Sequence, residues 1–179
     1  TNPITNQVFD GIYTDHVYTS DSSNLEARWL KFYDSLSGID FYQVAADTIA
    51  GSSSLTGWVN VNQDTQFIFS DLTLIHGKEY YVSVRSIDLA GNLSEIAFSN
   101  GITVDLIGPT LGEIIEGEAS DIDVISSSDT ITVSWSNFQD DISGINHFQL
   151  SVGTSLYIDD QIDWSSVDSN INNYIFEEL

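Results

Sequence analysis

The chain has 179 residues, 41% of them hydrophobic, which is enough apolar material for packed cores in one large or two small domains. Its 27 acidic residues face 4 basic ones, a formal net charge of −23 that repels nucleic-acid phosphates and anionic lipid headgroups and leaves cations as the natural counter-partners. Cysteine is absent, excluding disulfides and Cys-based zinc sites, and no apolar run approaches the roughly 20 residues of a membrane-spanning helix.

Taken in chain order, the apolar residues recur with the period of strands. LEARW, from Leu25 to Trp29, puts Leu25, Ala27 and Trp29 on one face, and after the break DSLSG the run IDFYQVA aligns Tyr42 and Val44 with Ala46. The polar loop AGSSSLTG leads to Trp58, and TQFIF ends at Phe69. Beyond IHGKE, the run EYYVSVRSI sets Tyr80, Val82, Val84 and Ser86 on one side before the turn DLAGN, and ITVSW closes on Trp135. No helical stripe of useful length occurs. Short strands with turn signals at this spacing predict an all-β protein of sandwich type.

An internal repeat organises the chain. Shifted by 106 positions, Pro3 falls on Pro109, Gly11 on Gly117, Asp15 on Asp121, Trp29 on Trp135, Phe32 on Phe138, Asp34 on Asp140, Gly38 on Gly144, Gln43 on Gln149 and Trp58 on Trp164. A one-residue slip then sets Phe67–Phe69 on Tyr174–Phe176. We expect residues 1–106 to form one module and residues 107–179 a second copy that stops short of the last strands, since nothing in it corresponds to residues 73–106. Such a chain reads as a piece of a longer array, or as one to which another chain supplies strands; the missing initiator Met fits a mature or excised fragment.

The stretch LTLIHGKEYYVSVRSIDLAGNLSE resembles the closing half of fibronectin type III and related bacterial immunoglobulin-like modules. Leu74, Gly77 and Tyr80 match that family's tyrosine corner, Val82 and Val84 its following strand, Asp88–Asn92 a hairpin turn and Trp29 its core tryptophan. The longer loop carrying Trp58, together with the Ser-Gly-Ile turn, is similar to repeats of large surface adhesins of marine and gliding bacteria. The resemblance implies tandem immunoglobulin-like β-sandwiches and a non-catalytic structural or adhesive role, the alternative being a glycan- or ligand-binding accessory module of a secreted protein. The Asn-, Asp-, Ser- and Thr-rich, disulfide-free composition also fits an extracellular location on or outside a bacterial cell. Implied partners are neighbouring repeats of the same polypeptide, other surface proteins or glycans, with no nucleic acid and no membrane insertion.

Trp29, Phe32 and Tyr42 read as core rather than as a stacking platform, because large aromatics bury about 150–250 Å² each. Trp58 and Trp164 follow polar loops and have two readings, packing at a sheet edge or stacking on a ligand. Ser37 has no His or Lys near it in sequence, and His16, His76 and His147 show no metal-ligand spacing, so no enzyme is expected. Carboxylates suit Ca²⁺, which takes about 6 to 8 oxygens. The candidate set is Asp105, Asp140 and Asp141 at the module junction, with a second cluster of Asp34, Asp40, Asp88 and Asn92; the competing reading is ordinary turn carboxylates. Asn92-Leu93-Ser94 is an N-glycosylation sequon, and Asp34-Ser35-Leu36, Asp47-Thr48-Ile49 and Asp129-Thr130-Ile131 resemble a bacterial O-glycosylation pattern.

Overall fold

The computed structural model describes residues 1–117, 121, 130–155 and 157–177, so Asp129 of the last sequence pattern lies outside the described residues. The chain divides into two compact units, Thr1–Leu106 and Ile107–Leu179, and all described regular structure is β.

Nine strands build the first unit: β1 (Val8–Asp10), β2 (Tyr18–Thr19), β3 (Leu25–Trp29), β4 (Ile39–Asp47), β5 (Val59–Asn60), β6 (Gln66–Phe69), β7 (Glu79–Asp88), β8 (Ala97–Phe98) and β9 (Ile102–Val104). One sheet runs β1-β3-β6, the other β2-β9-β7-β4-β5 with β8 also on β7; every pairing is antiparallel except β2 with β9. The alternation seen in the sequence is what closes the sandwich. Leu25, Ala27 and Trp29 of β3 point inward against Tyr42, Val44 and Ala46 of β4 and Tyr80, Val82 and Val84 of β7, in one continuous core. Trp29 and Phe32 both meet Tyr42 edge to face, with ring centroids 5.7 and 5.4 Å apart. The Ile75 amide donates to the Tyr80 hydroxyl at 3.1 Å, which satisfies a loop N–H at the start of β7 and fixes the corner.

The second unit contains β10 (Glu113–Glu116), β11 (Thr130–Ser136), β12 (His147–Val152), β13 (Ile162–Asp168) and β14 (Asn173–Glu177), arranged as β10-β11-β14 and β12-β13. Its registers reproduce those of the first unit. Val8 pairs with Trp29 and Ile114 with Trp135; Gln43 pairs with Asn60 and Gln149 with Ser166. The one-residue slip is visible in the backbone as well: Leu25 sits opposite Phe69, and Ile131 opposite Phe176. Trp135 and Phe138 meet Phe148 edge to face at 5.4 and 5.5 Å, repeating the aromatic trio. Among the described residues the fully buried core here is only Val133, Trp135 and Phe176.

Candidate functional site

The aspartate of the repeated Ser-Gly-Ile turn is an internal cap. Asp34 Oδ1 accepts the amides of Leu36, Ser37 and Gly38 at 3.0, 2.8 and 3.1 Å and the Ser37 hydroxyl at 3.1 Å. Asp140 Oδ1 does the same with Ile142, Ser143 and Gly144 at 3.2, 2.8 and 2.8 Å and with the Ser143 hydroxyl at 3.2 Å. The turn needs a left-handed residue at its end, supplied by Gly38 (φ +76°) and Gly144 (φ +72°). The Ser37 amide, followed by those of Leu36 and Gly38, holds the Asp34 carboxyl down to about 2.

Two of the other proposed ligands, Asp88 and Asp105, are likewise engaged locally. Asp88 is buried and receives the Ala90 and Asn92 amides and the Asn92 side-chain amide at 2.8–2.9 Å, with Asn92 the main cause of its lowered pKa. Asp40 is exposed on β4. Asp105 belongs to the first unit: it is buried at the end of β9, its amide donates to the Thr19 carbonyl at 2.8 Å, and its Oδ1 lies 3.5 Å from His76 Nδ1. That nitrogen accepts the Leu106 amide at 3.1 Å. Asp140 and the exposed Asp141 belong to the second unit, in the loop between β11 and β12. Among the described residues no three His, Asp or Glu side chains gather in a way that holds a metal ion.

The two tryptophans of the polar loops have different surroundings. Trp58 is half-buried beneath Arg85, whose guanidinium carbon stands 4.2 Å from the ring centroid. Arg85 Nε donates to Gln43 Oε1 at 2.8 Å, and Gln43 Nε2 donates to Asn60 Oδ1 at 2.7 Å. Gln43 lies across from Asn60 on one side and Arg85 on the other, so β5, β4 and β7 carry one polar row on the outer face of their sheet, ending under a cation–π lid. Trp164, on β13, is 58% exposed.

Asp10 is not among the residues that the sequence singles out. Its carboxyl is completely buried, 0% exposed. Oδ2 accepts the Gly101 amide at 3.0 Å and the Ser99 hydroxyl also donates to the group, so Asp10 ties β1 of one sheet to the segment between β8 and β9 of the other. Oδ1 has no hydrogen-bond partner among the described residues. Burial, with smaller contributions from the Asp15 and Glu79 charges, outweighs those two hydrogen bonds and pushes the carboxyl up to about 6. The available signal was its alternation with Val8, which puts an acid on an inward face.

A two-layer antiparallel sandwich with this strand order, tyrosine corner and core tryptophan defines an immunoglobulin-like fold of the fibronectin type III type. No protein-family profile matches the chain, and no curated protein matches it. Among solved structures it is similar to the chicken CNTN1 FN1–FN3 domains, with a TM-score of 0.53 and 15% identity over 99% of this chain; the chain spans 56% of that structure's length. It also aligns with the central fibronectin-III array of RIM-binding protein, at 14% identity and a TM-score of 0.36, over 99% of this chain and 57% of the other. At such identities the likeness concerns the fold alone.

Proposed function

We propose that the chain is a non-catalytic structural segment of a large extracellular bacterial surface protein, in which repeated sandwiches extend the molecule and support adhesion. The observation that carries this reading is the repeated frame. Both units reproduce the same strand registers, the same aspartate-capped turn and the same aromatic trio, and the residues of that turn and trio are spent on hydrogen-bonding the turn and on packing. Repetition of a frame serves length and presentation; a catalytic constellation is needed once. The strong acidity adds mutual repulsion between such segments, which favours extension over clumping.

Two measurements test it. Antibodies raised against the chain are expected to label intact, unpermeabilised cells of the source organism, and labelling only after permeabilisation would remove the surface assignment. Pulled from its ends as part of a polyprotein, the first unit should give one discrete unfolding event that releases roughly 3.3–3.6 Å per residue. A gradual extension without such an event would remove the mechanical role.

A further inference from the structure

Asparagine followed by glycine occurs once in the chain, at Asn100-Gly101, in the segment between β8 and β9. The pair is chemically labile in general, because a glycine nitrogen with no Cβ beside it can reach the preceding side-chain amide. Gly101 is buried at φ +100°, and a Cβ there would lie 2.7 Å from Glu79 Oε1 and 2.8 Å from Tyr81 Cε1, so conformation and crowding both favour glycine. Asn100 is exposed, and its side-chain amide has no hydrogen-bond partner among the described residues.

The nitrogen that would attack is not free. The Gly101 N–H donates to Asp10 Oδ2 at 3.0 Å, part of a fully buried carboxyl that also receives the Ser99 hydroxyl. Ser99 is held in turn by β7, its amide donating to the Val82 carbonyl at 2.9 Å and its Oγ accepting the Val82 amide at 3.0 Å. Asn100 is therefore an arch of one residue between two anchored neighbours. The charged groups around Asp10 are acids: Asp15, whose Oδ1 accepts the Asp10 amide at 2.9 Å, and Glu79, which accepts the Tyr81 hydroxyl. The His16 ring lies against Gly11. Ionised carboxylates beside an N–H disfavour loss of its proton, and the bond to Asp10 fixes where the nitrogen points.

We propose that Asn100 is a deamidation site kept closed by Asp10, so that modification follows release of β1 from the segment between β8 and β9. Once freed, the Gly101 nitrogen loses its proton to hydroxide and attacks Asn100 Cγ. The N–Cγ bond forms, the bond from Cγ to the amide nitrogen breaks, and ammonia leaves with a proton taken from water, which closes a succinimide ring. Water then opens the ring at either carbonyl, giving aspartate or isoaspartate, so the net change is hydrolysis of one amide. Either product adds a carboxylate to the neighbourhood of Asp10, Asp15 and Glu79, and isoaspartate also lengthens the main chain between Ser99 and Gly101. Both changes oppose reclosure, which makes the event one-way.

The test incubates the full 179-residue chain at mildly alkaline pH and reads deamidation at Asn100 by mass spectrometry after digestion, with the other asparagines as internal references. In the native chain Asn100 should deamidate at least about tenfold more slowly than in urea, and Asp10→Ala should speed the native rate about tenfold or more, the scale of a lost hydrogen bond to a charged group. Ser99→Ala is the control: it removes the other donor to Asp10 while leaving the Gly101 bond, and should change the rate by less than about threefold. In the wild type, where no variant has to fold, deamidation should rise across sub-denaturing urea in step with hydrogen exchange of the Gly101 amide. The proposal is overturned if Asn100 deamidates as fast in the native chain as in urea, if Asp10→Ala leaves the rate unchanged, or if it and Ser99→Ala raise the rate alike. It is equally overturned if the wild-type rate does not follow exchange at Gly101.

Discussion

Trp29 and Trp135 occupy the same place in the two units, at 3% and 6% exposure, yet the cores around them differ greatly. Around Trp29 the burial continues through β4, β7 and β9 to Val104; around Trp135 full burial extends, among the described residues, only to Val133 and Phe176. The local frame is the same in both, down to the capped turn and the register of each strand pair. The difference is the strand on the far edge of β4, which β12 does not have among the described residues. Turns and strand pairs form from short-range pattern, whereas burial depends on the neighbours that later segments bring.

The largest test of that contrast is in the cores. Trp29→Ala should cost the first unit about 3–5 kcal/mol, the range for deleting a buried aromatic. Trp135→Ala should cost distinctly less, because Phe148 and Leu150 beside it are already partly wet. Urea denaturation followed at each unit would show this, and equal losses would erase the contrast.

A second test uses pH. The Asp10 carboxyl is raised to about 6 from an ordinary 3.8, so between those values the folded first unit holds a proton that the unfolded chain releases. Stability must therefore fall as pH rises from about 4 to about 6 and level off above, by at most about 3 kcal/mol. Asp10→Asn should flatten that window. Asp21, lowered to about 2 chiefly by the Asn24 side chain, and Asp34 work in the opposite sense, losing their contribution only as pH falls from about 4 toward 2. Glu116, the counterpart of Asp10, is exposed on β10 rather than buried. Melting temperatures of the wild type and Asp10→Asn across pH 4–7 would decide it.

Smaller effects should be alike in the two units, because they arise within the turn. Gly38→Ala and Gly144→Ala each force a side chain into the left-handed region and should cost about 1–2 kcal/mol apiece, checked by the denaturation midpoint of each unit. A Cβ added at either glycine would meet no atom within 4 Å, so the cost is conformational rather than steric. The smallest effect is Arg85→Ala, expected to cost roughly 0.5–1 kcal/mol and to red-shift the Trp58 emission as its ring loses the lid.

Much of the fold was legible because every second residue of β3, β4 and β7 is buried from Leu25 to Trp29, from Tyr42 to Ala46 and from Tyr80 to Ser86, although Ala45 and Ser83 on the opposite faces are buried as well. The repeat offset, read from Trp29/Trp135 and Gln43/Gln149, indicates which strands correspond, and the pairings of Val8 with Trp29 and of Ile114 with Trp135 recur at that same offset. The turn aspartates could be read two ways, since a carboxylate before Ser-Gly suits a cap as well as an ion; only the positions of the Leu36, Ser37 and Gly38 amides show which backbone groups Asp34 engages. The loop tryptophans were ambiguous for a similar reason. What covers Trp58 is Arg85, 27 positions away and on another strand.

By itself the sequence determined the strands, the turns, the repeat and the excess of negative charge, all properties of pattern and composition that act over a few residues or over the whole chain. Tertiary structure decided the rest: that Asp10 is buried against Gly101, that Arg85 closes over Trp58, and that Trp164 has no such cover among the described residues. Each of those depends on which strand lies beside which, and strand neighbours far apart in sequence are chosen by the packing of complete sheets.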